Sequence, residues 1–219
     1  AVAGSERPEL HWRPEVGRAR GFTLVEVTVM LAVVGVLVGL MAGSVGDILV
    51  KSREVRTRED VEMIGRAIAD FYQDNGFFPR TEDVIGGRPG NVLLGVLASD
   101  APLPEVTASS SLWVQTSGDL LTAHLMRTLR GYRGKSEAGP LGWSGPYLSS
   151  DPTEDGWGFA YVVNVFYLDP RDISQELDGT PLGAVYVLSA GPNGILETPY
   201  YQPRDNATVY GDDIGYRLQ

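Results

Sequence analysis

Residues 22–50 read FTLVEVTVMLAVVGVLVGLMAGSVGDILV, and this stretch decides how the rest of the chain is interpreted. From Val27 to Gly46 no residue carries a charge. As a helix, a run of that length covers about 30 Å, close to the hydrocarbon thickness of a bilayer. The stretch therefore predicts a membrane span. A buried core helix and a cleaved secretory signal are the competing readings. Charge-free apolar runs of this length are uncommon in soluble cores, and the run exceeds the roughly 7–15 apolar residues of a signal sequence. Flanking charge does not fix orientation, because Arg13, Arg18 and Arg20 precede the span while Lys51, Arg53, Arg56 and Arg58 follow it.

Beyond the span the pattern changes. In residues 51–75, KSREVRTREDVEMIGRAIADFYQDN, the apolar residues Val61, Ile64, Ala67, Ile68, Phe71 and Tyr72 recur at steps of three and four. No proline lies between residues 22 and 75, so the spacing predicts one helix over 22–75, roughly 80 Å long. Asn75-Gly76 is a C-terminal stop, and Pro79 prevents resumption. Residues 1–21 are polar and aperiodic. The chain from residue 76 to 219 holds most of the 27 glycines and 14 prolines and reads as a turn-rich α+β domain. Ala160–Leu168 and Ala184–Ser189 have strand composition. Asp119–Arg130 reads as a short helix with Leu121, Leu125 and Leu129 on one face and Ser117 or Asp119 as its N-cap. That helix places His124 on its polar side.

Composition excludes several function classes. Lys plus Arg total 18 against 28 Asp plus Glu, for a formal net charge of −10, the wrong sign for a nucleic-acid binder. Cysteine is absent, which removes disulfides, zinc–thiolate sites and thiol nucleophiles. With only two histidines, His11 and His124, neither a Ser-His-Asp triad nor a multi-histidine metal site is expected. The chain is not expected to be an enzyme.

One carboxylate, Glu26, sits near the start of the apolar run. A charge near a helix end can snorkel to the membrane interface, whereas an acid held in hydrocarbon tends to be paired and functional. Its surroundings, GFTLVEVTVMLAVVGVLVGL at Gly21–Leu40, resemble the signal of type IV prepilins and pseudopilins. The resemblance implies that a prepilin peptidase cuts after Gly21, that the new N-terminus, Phe22, is methylated, and that Glu26 acts in assembly. Cleavage would create a cationic amine on Phe22 one helical turn from Glu26. Pairing of that amine with Glu26, within or between subunits, would make the acid tolerable in a filament core and set axial register. The chain lacks the proline many relatives carry past mid-span; Gly35, Gly39, Gly43 and Gly46 supply flexibility instead.

The absence of cysteine leans toward pseudopilins over disulfide-closed pilins. Phe71–Pro79 resembles the helix end and proline turn of the major pseudopilin of type II secretion. Trp143-Ser144-Gly145-Pro146-Tyr147-Leu148, Asp151-Pro152 and Trp157-Gly158 resemble its W-x-G-P-Y-L and D-P-W-G stretch, here interrupted by Thr153–Gly156. Ser189-Ala190-Gly191-Pro192-Asn193-Gly194 resembles its S-x-G-x-D-G turn, and Asp212-Asp213-Ile214 its closing D-D-I. The resemblance implies Ca²⁺ held by the Ala190 carbonyl, Asn193, Asp212 and Asp213. Asn193 replaces an aspartate, and the spacer from Gly194 to Gly211 is longer than in relatives, with Asp205 or backbone oxygens as further donors. A plain turn is the alternative reading of Gly-Pro-Asn-Gly. Asp151–Gly156 imitates the start of an EF-hand loop, but the twelfth position is Val162, so it reads as a turn. Residues 98–139, with Trp113, have no counterpart in the resemblance.

The expected protein is thus a leader (1–21), a long hydrophobic and amphipathic helix (22–75) and a globular domain (76–219) with an insertion at 98–139. Its fold is α+β, the helix packed on a small antiparallel sheet as in pilins. The expected role is a subunit of a periplasmic pseudopilus driving type II secretion. Its partners are further copies in a helical filament, minor pseudopilins, the inner-membrane assembly platform and the prepilin peptidase, with no nucleic acid. Its place is the bacterial inner membrane as a single-pass protein with a periplasmic C-terminal domain. The alternatives are a type IV pilin, a minor pseudopilin, or a membrane-anchored binding module.

Overall fold

The computed structural model describes residues 21–79, 96–115, 117–127, 132, 134–135, 140–168 and 183–218. Residues 1–20 of the expected leader lie outside them. The chain divides into two compact units, residues 1–46 and 47–219.

The first unit holds the start of α1 (Leu24–Asn75). Apolar side chains from Leu24 to Leu40 are exposed, Leu24 at 81% and Leu40 at 73%. This helix carries a window long and apolar enough to cross a membrane, and that window buries nothing inside the protein. Side chains with no water-compatible face and no protein partner are what a lipid-facing segment presents.

In the second unit α1 becomes one wall of a core. Val61, Ile64, Ala67, Ile68 and Phe71 are buried, as their spacing predicts, and the larger of them each contribute about 2 kcal/mol by leaving water. Tyr72 departs from that expectation. It is 44% exposed and stacks on Phe78 at 4.2 Å, because a helical step of one residue from Phe71 turns it off the core face. The helix ends where the sequence predicts. Gly76 takes a left-handed φ of +76°, its N–H donates to Tyr72 O at 2.8 Å, and Asn75 Nδ2 donates to Phe71 O.

Against this wall lies a five-stranded sheet in the order β3-β1-β4-β5-β7, formed by β1 (Val96–Ala98), β3 (Ser117–Leu120), β4 (Val162–Val163), β5 (Tyr186–Ser189) and β7 (Ile214–Arg217). The β1–β3 pair is parallel and the others are antiparallel. A second sheet pairs β2 (Glu105–Val106) with β6 (Ile195–Leu196) in parallel. Gly65 lets the helix approach β7: a Cβ there would lie 2.3 Å from the Tyr216 ring. Tyr161 Oη donates to Asp60 Oδ2 at 2.8 Å and Gly156 N to the buried Thr57 Oγ1 at 3.0 Å, so polar bonds also fasten the helix. Burial and the Asp60 carboxylate push the Tyr161 hydroxyl well above the ordinary phenol range.

Three local expectations are corrected. The expected helix over Asp119–Arg130 begins as strand: Asp119 and Leu120 pair with Leu97 and Ala98, and only Leu121–Leu125 (α3, following α2 at Leu112–Gln115) are helical. Neither Ser117 nor Asp119 caps α3; Leu120 holds that position without a side-chain cap. The backbone of Ser117–Leu120 is instead committed to the ladder with β1. Leu129 lies outside the described residues. His124 is fully buried, not on a polar face, with Nδ1 bonded to the Tyr132 hydroxyl. The expected strand Ala160–Leu168 stops at Val163, followed by a 3₁₀ turn over Val165–Leu168. Asn164 ends it: its Oδ1 accepts Tyr186 N at 2.8 Å and its Nδ2 donates to Ala184 O at 3.0 Å. A side chain has replaced the ladder.

The 98–139 stretch supplies core as well as edge. Trp113 is fully buried, its Nε1 donates to Thr198 O at 2.9 Å, and its ring meets Tyr200 edge-on at 5.2 Å.

Candidate functional site

Two groups of residues carry the functional expectations, one in each unit. At the start of α1, Gly21 and Phe22 are exposed, Phe22 at 74%, and Leu24 is the first helical residue. Thr23 is therefore the N-cap. Its Oγ1 accepts Glu26 N at 3.2 Å, while Glu26 Oε2 accepts Thr23 N at 3.3 Å. This reciprocal pair is a capping box, which satisfies two of the donors a helix start leaves unpaired. The sequence reading of Glu26 missed this local role, although the Thr-x-x-Glu spacing displays it. Gly21 and Phe22 precede the helix, carry no regular secondary structure and are exposed.

The second group is a loop at the end of the main sheet. Pairing of Ser189 with Ile214 brings the chain after β5 alongside the chain before β7. Gly191, at φ +66°, sits against Asp212: a Cβ there would lie 2.1 Å from Asp212 O. Asn193 N donates to Asp212 Oδ2 at 3.0 Å, and Asn193 Oδ1 accepts Ile195 N at 2.6 Å. Asp213 Oδ2 accepts Glu197 N at 3.0 Å and Thr198 N at 2.7 Å. The structure therefore brings Ala190, Asn193, Asp212 and Asp213 into one loop cluster. Asp205 does not join it; it is exposed in the 3₁₀ turn Arg204–Asn206.

Two residues the sequence reading missed complete this loop. Glu197 Oε2 accepts Asp212 N at 3.3 Å and crosses directly over Gly211, where a Cβ would overlap it at 1.4 Å. Gly211 holds a φ of +61°, so both conformation and space require glycine there. Thr198 Oγ1 accepts Tyr210 N at 3.0 Å. Both residues come from the long spacer, whose composition gives no sign of this folding-back.

The electrostatics of the loop are unbalanced. Glu197 lies near both aspartates, its Oε2 bonded to Asp212 N and its charge acting on Asp213. Asp212 Oδ1 and Asp213 Oδ1 are buried and have no hydrogen-bond partner. Burial, reinforced by the charge of Glu197, lifts the Asp213 carboxyl above its ordinary range, against the lowering effect of the Thr198 and Glu197 hydrogen bonds. Buried carboxylate oxygens without donors are costly unless a cation or proton meets them. The donor set is all hard oxygen, which fits a hard divalent cation. Among the described residues no three His, Cys, Asp or Glu side chains form a metal cluster, so any such ion would need carbonyl or amide oxygens, as at Ala190 and Asn193, to fill its shell.

The turn expected over Asp151–Gly156 forms later, over residues 155–159, closed by Asp155 N donating to Phe159 O at 2.8 Å and built on the Asp155 side chain. That residue is 3% exposed. Its Oδ1 accepts Trp157 N at 2.8 Å and Phe159 N at 3.0 Å, and its Oδ2 accepts the Ser189 hydroxyl. Ser189 Oγ in turn accepts Gly191 N at 3.1 Å. Asp155 thus anchors the turn to the strand that launches the acidic loop.

No protein-family model, curated protein or solved structure matches this chain.

Proposed function

We propose that this chain is the structural subunit of a periplasmic pseudopilus that drives type II protein secretion. On this reading its fold is that of the pilins, and it inserts in the inner membrane through the first half of α1. A prepilin peptidase processes it after Gly21, Phe22 becomes the methylated N-terminus, and Glu26 pairs with that amine in the assembled filament. The observation that carries the reading is the division of labour within one 52-residue helix. Its start bears an exposed Gly21–Phe22 segment and Glu26, its apolar first stretch is unburied among the described residues, and its last turns wall a folded core. An anchor for a tethered domain needs only the span. Any helix start can use Glu26 as a cap; what a plain anchor does not call for is that acid set beside an exposed Gly21–Phe22 segment at the head of the span.

Ca²⁺ belongs to the same reading. The Ala190 carbonyl, Asn193 Oδ1, Asp212 Oδ1 and Asp213 Oδ1 would hold it, with Glu197 near enough to add charge. The ion would neutralise the loop and lock the end of the sheet; the chain itself positions the loop through Gly191, Gly194, Gly211 and the Thr198 clamp. Further copies, minor pseudopilins and the inner-membrane platform would be the partners.

The test is the intact mass of the membrane-extracted protein. A species beginning at Phe22 and heavier by one methyl group supports the reading, and a mature chain that retains residues 1–21 overturns it. A type IV pilin or minor pseudopilin is separated from a major pseudopilin by abundance in the filament. A membrane-anchored binding module is the reading left if Glu26 can be replaced without effect.

A further inference from the structure

Along α1 from Lys51, within the 47–219 unit, charge is basic-rich first and acid-rich later. Lys51, Arg53, Arg56 and Arg58, with Glu54 among them, precede Glu59, Asp60, Glu62, Asp70 and Asp74, with Arg66 among them. Some of these pair within the chain: Arg56 with Asp60 at 3.7 Å, Arg66 with Glu62 and Lys135 with Asp74. Among the described residues Lys51, Arg58, Glu59 and Asp70 make no such pair, and all four are exposed.

Their placement on the helix is regular. Lys51 and Arg58 are seven residues apart and share one edge; Glu59, Met63 and Asp70 follow steps of four and seven and share another. The two edges lie about 100° apart around the helix. The acidic edge is also concave. Glu59, Met63, Ala67, Asp70 and Tyr147, together with the Glu62–Arg66 ion pair, line a groove of about 280 Å³ with a largely apolar wall. Glu62 already neutralises Arg66, so Glu59 and Asp70 are the carboxylates left to meet an incoming cation. A single copy cannot bring its own basic edge to this groove, because both are fixed on one rigid helix.

Resting on the filament reading above, we infer that this groove receives the Lys51–Arg58 edge of α1 from a second copy of the chain. Lys51 of one copy meets Glu59 of the next, and Arg58 meets Asp70. The pairing requires parallel helices offset by eight to twelve residues, an axial stagger of about 15 Å. The contact is head-to-tail, using different patches on the two partners, and such contacts propagate instead of closing into a dimer. Charge argues for this occupant. With a net charge of −10, two copies repel at most orientations, and the basic edge is where attraction can offset that repulsion.

The experiment uses the full chain extracted in detergent, with multimers measured by light scattering. Reversing one edge (K51E/R58E) or the other (E59K/D70K) is expected to reduce multimers at least tenfold without shifting Tm, since all four residues are exposed. The quadruple swap, or a mixture of the two reversed chains, is expected to restore them. Multimers that survive either reversal, or stay lost in both the swap and the mixture, overturn the inference. E26L separates this result from the broader reading. Multimers that resist E26L but vanish on charge reversal overturn the filament-core role of Glu26 and leave the edge contact standing. A wild-type chain with no multimers overturns both.

Discussion

Thr23 and Glu26 cap α1 reciprocally, each side chain meeting the other's backbone N–H. Glu26 therefore has two separable properties, an acceptor that starts the helix and a charge placed next to an apolar span. Two substitutions divide them. Glu26→Gln keeps the acceptor, and Glu26→Leu removes both. Membrane insertion is expected for both variants, since the span is untouched. Assembly measured by sedimentation of multimers is expected to be lost in both, because an amide cannot neutralise an amine. If Glu26→Gln assembles like wild type, the acid serves only as a cap. The cap itself is worth about 1 kcal/mol.

The loop oxygens Asp212 Oδ1 and Asp213 Oδ1 have no hydrogen-bond donor. Adding Ca²⁺ to chelator-treated protein is expected to raise Tm, by about 2.7 kcal/mol of stabilisation at a hundredfold excess over Kd. Asp213→Asn keeps an acceptor for Glu197 N and Thr198 N and removes the charge. In chelator its Tm is expected to equal or exceed wild type, and its Ca²⁺-dependent rise to be lost. Melting curves with and without the ion decide this; a wild-type Tm that ignores Ca²⁺ removes the metal from the account.

Asp155 serves two backbone N–H groups and the Ser189 hydroxyl from a buried position. Asp155→Ala leaves those donors unsatisfied and is expected to cost about 3 kcal/mol, read as a drop in Tm of about 9 °C for a domain of this size. Asp155→Asn, which retains an acceptor, is expected to lose less than half of that.

Asp74 is held below the ordinary carboxylate range chiefly by its hydrogen bond to Lys135, which outweighs desolvation; the lysine's charge adds to the lowering. A depressed folded-state pKa adds stability above the unfolded value, which is lost as pH falls through the folded one. Lys135→Met is therefore expected to lower Tm slightly at pH 7. The gap between variant and wild type is expected to close below about pH 4, the unfolded carboxylate range. A gap that stays constant down to pH 2 would mean that Lys135 acts through packing and not through charge.

Gly65 faces the Tyr216 ring at a distance no Cβ tolerates. Alanine favours a helix over glycine by about 1 kcal/mol, yet Gly65→Ala is expected to destabilise by about 1–2 kcal/mol net through overpacking. Combining it with Tyr216→Leu is expected to recover part of the loss. Urea unfolding of the three proteins measures the coupling.

Local chemistry was enough to read α1. Its apolar run, its three-and-four spacing and its Asn75-Gly76 stop are properties of neighbours along one chain, and the helix and its buried face follow from them, Tyr72 excepted. The cluster of Ala190, Asn193, Asp212 and Asp213 was legible only through resemblance, and folding then supplied the physical reason, two buried oxygens without donors. Tertiary structure alone decided the rest. Ser117–Leu120 became strand because β1 offered it a partner, His124 turned inward to meet Tyr132, Asn164 ended β4 by bonding across to Ala184 and Tyr186, and Glu197 folded over Gly211. Each of these depends on a group outside the element it belongs to, and the strength of a hydrogen bond or a buried charge is set by what surrounds it in space.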